Sequence, residues 1–271
     1  MTFDSNRAWK QASASVAANR EVLLALAGVF FVLPSIAFSL FFPQPDPAAG
    51  ATPEQTLAVM REFYLRAAPY FIPIALVQMG GTLAMLTLFT DRSRPTVGEA
   101  IRQGFLAVIP YFLAQLLLGL GLGLSALVLF SLATLTGVAA IAVIVGIALL
   151  IGAVYIGVKT SLVAPVVSVE HERNPVTALR RSWALTKGNS VRLALFYLLV
   201  IVVFVLVVSI AMGIVGVVLA LLIGGDTARL IAAVVSAVLG GMFTLYFVAI
   251  LASAHRQLAG PSTAAVSATF E

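Results

Sequence analysis

The chain contains no cysteine and only two histidines among its 271 residues, and charged side chains make up just 10% of it. Without cysteine, neither a disulfide nor a thiolate metal site can form. An ordinary soluble domain carries charge on about a quarter of its residues, so this composition excludes that class. Hydrophobic residues reach 61% and the mean hydropathy is +1.08. The composition predicts an integral membrane protein.

Uncharged stretches long enough to cross a bilayer, which takes about 20 residues, predict an all-α protein with six transmembrane helices. The first stretch exceeds the apolar core of a cleavable signal, about 7 to 15 residues, so it is a permanent span, and Pro34 is expected to kink it. The 56 residues from Gln103 to Val158 fit two spans joined by a turn over Ser131 to Gly137. The predicted spans are residues 22–42, 67–90, 105–130, 138–160, 193–223 and 230–254. They form one membrane domain over residues 1–258, followed by a flexible tail over 259–271.

Short amphipathic helices are predicted at the membrane surface between the spans. Residues 1–21 place Trp9 and Val16 on one face, together with Ala12 and Ser13. Val97, Ile101 and Phe105 give a second such stretch. On the opposite side, Thr52 and Gln55 form a capping-box pattern that predicts a separate short helix.

The segment 165–192 carries the most informative pattern. Asn174 is a good N-cap, Pro175 suits the first helical position and Gly188 suits the residue past the end. These positions predict a helix of three to four turns. Its face of Val176, Leu179, Trp183 and Thr186 is expected to lie flat on the membrane with Trp183 at headgroup depth.

The distribution of basic residues predicts the orientation. Thirteen of the 16 lysines and arginines fall on the side that carries both termini, and the other three are Arg61, Arg66 and Arg229. By the positive-inside rule, both termini are expected in the cytoplasm. The net charge of +5 then suggests anionic lipid, not nucleic acid, as a partner on that side.

The three surface stretches can be laid over one another, which suggests a threefold repeat of surface helix, outward span and inward span. Ala8 and Ala100 both align with Ala178, and Lys10 and Arg102 align with Arg180. Because alanine is abundant in this chain, chance similarity at three membrane edges explains the alignment equally well.

The central segment resembles a known family. The pattern Pro165-Val-Val-x-Val-Glu170 followed by Asn174-Pro175-x-x-Ala-Leu-x-Arg-Ser-Trp-x-Leu-Thr-Lys-Gly-Asn189 is similar to the membrane domain of some glycerophosphodiester phosphodiesterases and of stand-alone bacterial inner-membrane relatives. The resemblance implies a bacterial inner-membrane protein concerned with envelope lipids. The enzyme-bearing members carry a soluble catalytic barrel after this domain, whereas here a short tail follows the last span, so no catalytic residue is carried over.

Independent signs of catalysis are weak. Glu170, His171 and Glu172 are possible metal ligands, but adjacent helical residues point in different directions, and a solvated cap is the favoured interpretation. His255, beside Arg256 at a span end, is expected to contact lipid headgroups. We therefore expect no enzymatic activity, no cofactor and no metal site.

A few polar residues and glycines lie inside the predicted spans. For Lys159, snorkelling to the headgroups is favoured over burial in the bilayer. Gln78 and Gln115 either line a polar path or form single interhelical hydrogen bonds, which is the preferred interpretation. Gly119 and Gly123 suit packing inside the monomer and dimerisation equally well.

Two functions follow from these patterns. The leading hypothesis is a non-enzymatic protein that binds or organises membrane lipid, with an interface made of Arg180, Arg181, Trp183 and Lys187. The alternative is a small transporter whose polar path includes Lys159, Gln78 and Gln115.

Overall fold

The structure is a computed structural model that describes residues 2–43, 45, 50–90 and 95–260. The predicted charged loop around Arg92 and Arg94 and most of the predicted tail lie outside these residues. The described residues form eleven α-helices and one π-helical turn: α1 (Ser5–Ala18), α2 (Arg20–Ala27), the π-helical turn (Gly28–Val32), α3 (Leu33–Phe41), α4 (Pro53–Thr90), α5 (Val97–Leu106), α6 (Val108–Leu135), α7 (Ala139–Thr160), α8 (Val163–Val169), α9 (Pro175–Leu185), α10 (Ser190–Leu222) and α11 (Gly225–Ala259).

Six helical segments of the described chain are long and apolar enough to cross a membrane, which confirms the predicted all-α, six-span class. They are Arg20–Phe41, Pro53–Thr90, Val108–Leu135, Ala139–Val169, Ser190–Leu222 and Thr227–Ala259. The turn between the third and fourth spans is shorter than predicted. It occupies residues 136–138, where Gly137 has a φ of 70°, a conformation that glycine adopts without a steric cost.

The second span corrects a prediction. The capping box at Thr52 and Gln55 forms as expected, with backbone N–H groups donating in both directions at 2.9 and 3.3 Å. The helix that it starts is not separate, however, because α4 continues through Pro69 and Pro73 to Thr90. Each proline lacks a backbone N–H and so removes one helical hydrogen bond. Because the two prolines are four residues apart, both missing hydrogen bonds lie on one face, and the helix can bend there without ending. Its 38 residues extend about 57 Å, longer than the hydrocarbon core.

Close backbone packing fixes the first, second and last spans together. A Cβ added to Gly81 would lie 2.4 Å from the Phe30 side chain, and one on Gly241 would lie 2.7 Å from Val32. Phe30 and Val32 belong to the π-helical turn directly before Pro34, where the first span departs from regular α-helix. The glycines therefore serve helix packing.

Three short helices, α1, α5 and α9, each precede a pair of spans, and we call them the lead helices. Helix α1 packs on α11, α5 packs on α4, and α9 packs on α6, α7 and α8. The two ends of the described chain meet, because the Asp4 backbone N–H donates to Oε1 of Gln257 at 3.0 Å. Both ends of the bundle's chain therefore lie on the side of the lead helices.

Burial is uneven among the spans. In the most apolar 18 residues of the first, second and sixth spans, 28%, 39% and 39% of the residues are buried. The corresponding buried fractions of the third, fourth and fifth spans are 6%, 6% and 0%. Glycines of α6 such as Gly119 and Gly123 contact no other described part of the chain. Packing inside the monomer, one of the two interpretations of this pair, is therefore wrong. The core lies around the first, second and sixth spans and the lead helices, while α6, α7 and α10 present broad apolar surface.

Candidate functional site

An intramembrane groove lies between the first, second, third and sixth spans. Its volume is about 470 Å³, and its lining combines polar side chains with apolar ones. The polar members are Ser35, Gln78, Thr82, Tyr111 and Thr244. None of the lining residues carries a formal charge, so the groove is a neutral hydrogen-bonding site inside apolar surroundings.

The hydrogen bonds within the groove decide which groups remain available. Thr82 donates its hydroxyl hydrogen to the carbonyl oxygen of Gln78 at 2.9 Å, so its oxygen can only accept from a ligand. Tyr111 accepts from Nε2 of Gln115 at 2.8 Å, which leaves its own hydroxyl hydrogen free to donate. The groove offers both a donor and acceptors to a neutral polar group.

The two intramembrane glutamines differ from the favoured prediction. Gln115 bonds to Tyr111 one turn earlier on α6, not to another helix. The side chain of Gln78 makes no hydrogen bond to any described residue and lines the groove instead. Tyr111 and Gln115 are four residues apart within one predicted span. Side chains at this spacing are neighbours on a helix, so the sequence was sufficient to predict their contact.

Lys159 is buried against the protein, with only 4% of its surface exposed, so its side chain does not extend freely away from the helices as the snorkelling interpretation expects. Its Nζ atom lies 5.6 Å from the centre of the Tyr155 ring and 5.3 Å from that of Trp183. The two rings meet edge to face with centroids 5.9 Å apart. Among the described residues, no carboxylate pairs with this ammonium group. Lys159 also does not line the groove that contains Gln78.

The burial of Lys159 results from a break in the fourth span. Helix α7 ends at Thr160 and α8 begins at Val163, so the chain turns at Ser161 and Leu162. Ser182 on α9 spans this break, because it accepts from the Leu162 backbone N–H at 3.2 Å and donates to the Lys159 carbonyl at 2.8 Å. Helix α9 thereby covers the Lys159 end of the span.

Helix α9 begins as predicted. The Asn174 side chain accepts from the backbone N–H groups of Val176 and Thr177, Pro175 occupies the first turn, and Gly188 has a φ of 80° past the end. Its protein-facing side consists of Ala178, Ser182 and Leu185, which are buried, together with Thr186 just after the helix. Val176 and Trp183 are exposed on the other side. The prediction that Thr186 shares their face is therefore wrong.

Glu170 forms the centre of an ion-pair network. Arg181 donates from Nε to Oε2 of Glu170 at 2.8 Å and from Nη2 to Oε1 at 3.3 Å, and Nε2 of His255 lies 2.9 Å from the same Oε1. Burial alone would raise the pKa of Glu170, but the hydrogen bonds from His255 and Arg181 and their charges outweigh it and lower that pKa to about 2. This network ties α8, α9 and α11 together.

This network adds to one prediction and corrects another. Glu170 is exposed at the end of α8, as expected for a solvated cap, but it is also held by two partners from other helices. His255 is 4% exposed, and its Nε2 atom contacts Glu170 in place of the predicted lipid headgroups. The 85 residues between Glu170 and His255 explain why no local pattern revealed the pair.

The predicted lipid interface divides into two parts. Arg181 pairs with Glu170, and 44% of its side chain stays exposed. Arg180 and Lys187 are exposed, and Trp183 is 42% exposed beside Tyr155. Within the described residues, no group of three or more histidine, aspartate or glutamate side chains could hold a metal ion.

No protein-family model, curated protein or solved structure matches the chain. The fold and the geometry above are therefore the basis for any functional conclusion, and the resemblance of residues 165–189 to a known membrane domain stays a prediction.

Proposed function

We propose that this chain is a non-enzymatic integral membrane protein that binds membrane lipid in the groove between its first, second, third and sixth spans. The observation that carries the proposal is the uncharged polar lining of that groove, with Gln78 and the Tyr111 hydroxyl available for hydrogen bonds. A volume of about 470 Å³ falls within the range of small-molecule sites.

The chemistry of the lining favours the glycerol and ester region of a lipid. Polar groups inside a bilayer are costly unless they are hydrogen-bonded. The side-chain amide of Gln78 has no hydrogen-bond partner among the described residues, which favours a ligand that bonds to it. Ester carbonyl oxygens accept from Gln78 and Tyr111, and glycerol hydroxyl groups donate to the threonine oxygens. The apolar surface of the neighbouring spans suits the acyl chains.

A transporter with one path past Lys159, Gln78 and Gln115 is the second candidate, and the geometry favours it less. Lys159 is covered by Tyr155 and Trp183 and does not line the groove, while Gln115 reaches it only through Tyr111. The three residues therefore do not share one polar surface.

We further propose that the protein lies in a bacterial inner membrane with both termini in the cytoplasm. The excess of lysine and arginine on the side of the lead helices supports this orientation. On that side, exposed Arg180 and Lys187 favour anionic lipid neighbours.

The three lead helices support a threefold repeat. Aligned on Ala8, Ala100 and Ala178, their N-caps coincide at Asp4, Thr96 and Asn174. Each cap side chain accepts from the backbone N–H three residues later. All three aligned alanines are fully buried.

The positions one turn later agree as well. Ala12, Gly104 and Ser182 are small and buried, and each lead helix packs on an even-numbered span: the sixth, the second and the fourth. Because α1 packs on the last span, the proposed repeat closes into a ring. Small residues at four-residue spacing let helices approach closely, which explains the pattern in each unit.

The groove proposal is tested by lipid retention. Thr82→Val and Gln78→Leu should reduce the amount of lipid that co-purifies in detergent, measured by native mass spectrometry of the full chain. Thr87→Val is the matched control, because Thr87 bonds to its own helix in the same way at Leu83 but does not line the groove.

Equal lipid retention by Thr82→Val, Gln78→Leu and Thr87→Val would contradict binding in the groove. Transport of a solute by the reconstituted wild type, abolished by Lys159→Met and Gln78→Leu alike, would favour the second candidate instead.

A further inference from the structure

Lys159 places an ammonium group near the end of a membrane span without a described counter-charge. Only 4% of the residue is exposed, and its nearest partners are the rings of Tyr155 and Trp183. No hydrogen bond joins its Nζ atom to a described residue.

A buried ammonium group without a partner is costly, and aromatic rings compensate only part of that cost. Ionisable residues at membrane depth therefore usually serve a site or have a partner. Since no described carboxylate fills this role, the geometry favours an anion that comes from outside the chain.

The position of Lys159 along α7 indicates which anion is available. Helix α7 has 22 residues, or about 33 Å, so it crosses the hydrocarbon core of about 30 Å once. Lys159 is its penultimate residue, so a bilayer centred on α7 places the lysine at the edge of that core, next to the lipid phosphates. On the same helix, Ile144 and Ile151 are more than half exposed and form an apolar surface on the side of the lysine.

We propose that Lys159, flanked by Tyr155 and Trp183, binds the phosphate group of an anionic phospholipid whose acyl chains lie along the exposed apolar side of α7. The inference rests on the proposed lipid-binding function and adds a second, charge-selective site apart from the neutral groove. Trp183 and Tyr155 are 42% and 49% exposed, so the two rings form the outer side of the proposed site, and the phosphate reaches the ammonium group from that side.

The chain has only two tryptophans, which gives a direct probe. In a Trp9→Phe background, Trp183 is the single fluorophore beside Lys159. Reconstituted into vesicles, it should be quenched more by phosphatidylglycerol with brominated acyl chains than by phosphatidylcholine with the same chains. We expect an apparent preference of about fivefold, the amount that one basic residue near a membrane surface contributes.

Substitution of the lysine should remove this preference. Lys159→Met is expected to bring the two lipids to equal quenching, and Lys159→Arg to restore the difference because the charge is retained. Lys10→Met is the matched control, since it removes the same charge from an exposed position on α1. If Lys159→Met does not fold, the comparison of lipids in the Trp9→Phe protein still decides the question.

Equal quenching by both lipids in the Trp9→Phe protein, or a preference that survives Lys159→Met, would overturn the site. Loss of the preference in excess inorganic phosphate at constant ionic strength would assign the lysine to a free anion and overturn the lipid assignment. The groove is judged separately, by lipid retention in Thr82→Val and Gln78→Leu, so failure of one proposal does not imply failure of the other.

Discussion

The hydroxyl group of Ser182 donates to the backbone carbonyl of Lys159 at 2.8 Å and accepts from the backbone N–H of Leu162 at 3.2 Å. One buried side chain thus satisfies a backbone acceptor and a backbone donor on both sides of a helix break. Such groups are costly when unpaired in an apolar interior. The contact explains why a serine lies in the middle of α9, on the face that packs against the fourth span.

Ser182→Ala should therefore destabilise the protein by about 1 to 3 kcal/mol, because it leaves the buried Leu162 N–H without a partner and the Lys159 carbonyl with only the Thr186 hydroxyl at 3.4 Å. The measurement is the thermal unfolding temperature of the purified protein in detergent. Ser125→Ala is the control, since the Ser125 hydroxyl bonds only to Gly121 in its own exposed helix. Equal unfolding temperatures for both variants would show that Ser182 does not stabilise the break.

The Glu170 network predicts a dependence of stability on pH. The pKa of Glu170 is lowered from 4.5 to about 2 in the folded protein. A lowered pKa means that the carboxylate stabilises the fold fully above its unfolded pKa, and that this contribution is lost as the pH falls from 4.5 towards 2. The unfolding temperature of the wild type should fall over this interval.

Glu170→Gln should lose that part of the pH dependence and should be less stable than the wild type at neutral pH. Glu62→Gln provides the comparison, because Glu62 is an exposed carboxylate of the second span. An unchanged acid profile in Glu170→Gln would contradict the network.

Two glycines in neighbouring helices should respond oppositely to the same substitution. A Cβ on Gly104 would lie 2.6 Å from the backbone nitrogen of Ala84, and backbone cannot move aside as a side chain can. Gly104→Ala should cost about 1 to 3 kcal/mol, the range for overpacking. Gly119→Ala should leave monomer stability unchanged or raise it, because no described atom lies within 4 Å of its Cβ position.

Thermal unfolding and folded yield measure both glycine variants. Size-exclusion chromatography of Gly119→Ala adds a check on association through α6. A shift to smaller assemblies in this variant would show that the exposed glycine face holds two copies together.

The proposed orientation is tested with single cysteines, for which the native chain provides a cysteine-free background. Cysteines at exposed Asn6 and Thr177 should be protected from an impermeant thiol reagent in intact cells, whereas those at Thr136 and Thr227 should react. Ser182 is unsuitable because it is fully buried. Reaction at Thr177 from outside would reverse the orientation.

The sequence by itself determined the six spans and the starts of α4 and α9. A span depends on a continuous run of apolar residues, and an N-cap depends on one side chain and the next three backbone groups. Both are local, so the pattern at Asn174 and Pro175 was sufficient to place α9.

The tertiary structure alone decided what those elements contact. The length of an uncharged run does not determine the surroundings of a lysine near its end. Lys159 is buried because α9 folds back over a break in the fourth span. His255 meets Glu170 because α11 packs on α8, a contact between positions 85 residues apart. The groove requires four spans to converge on Gln78 and Tyr111. Helix packing depends on how well side chains from distant parts of the chain fit together. Neither hydropathy nor residue spacing within one helix predicts that fit.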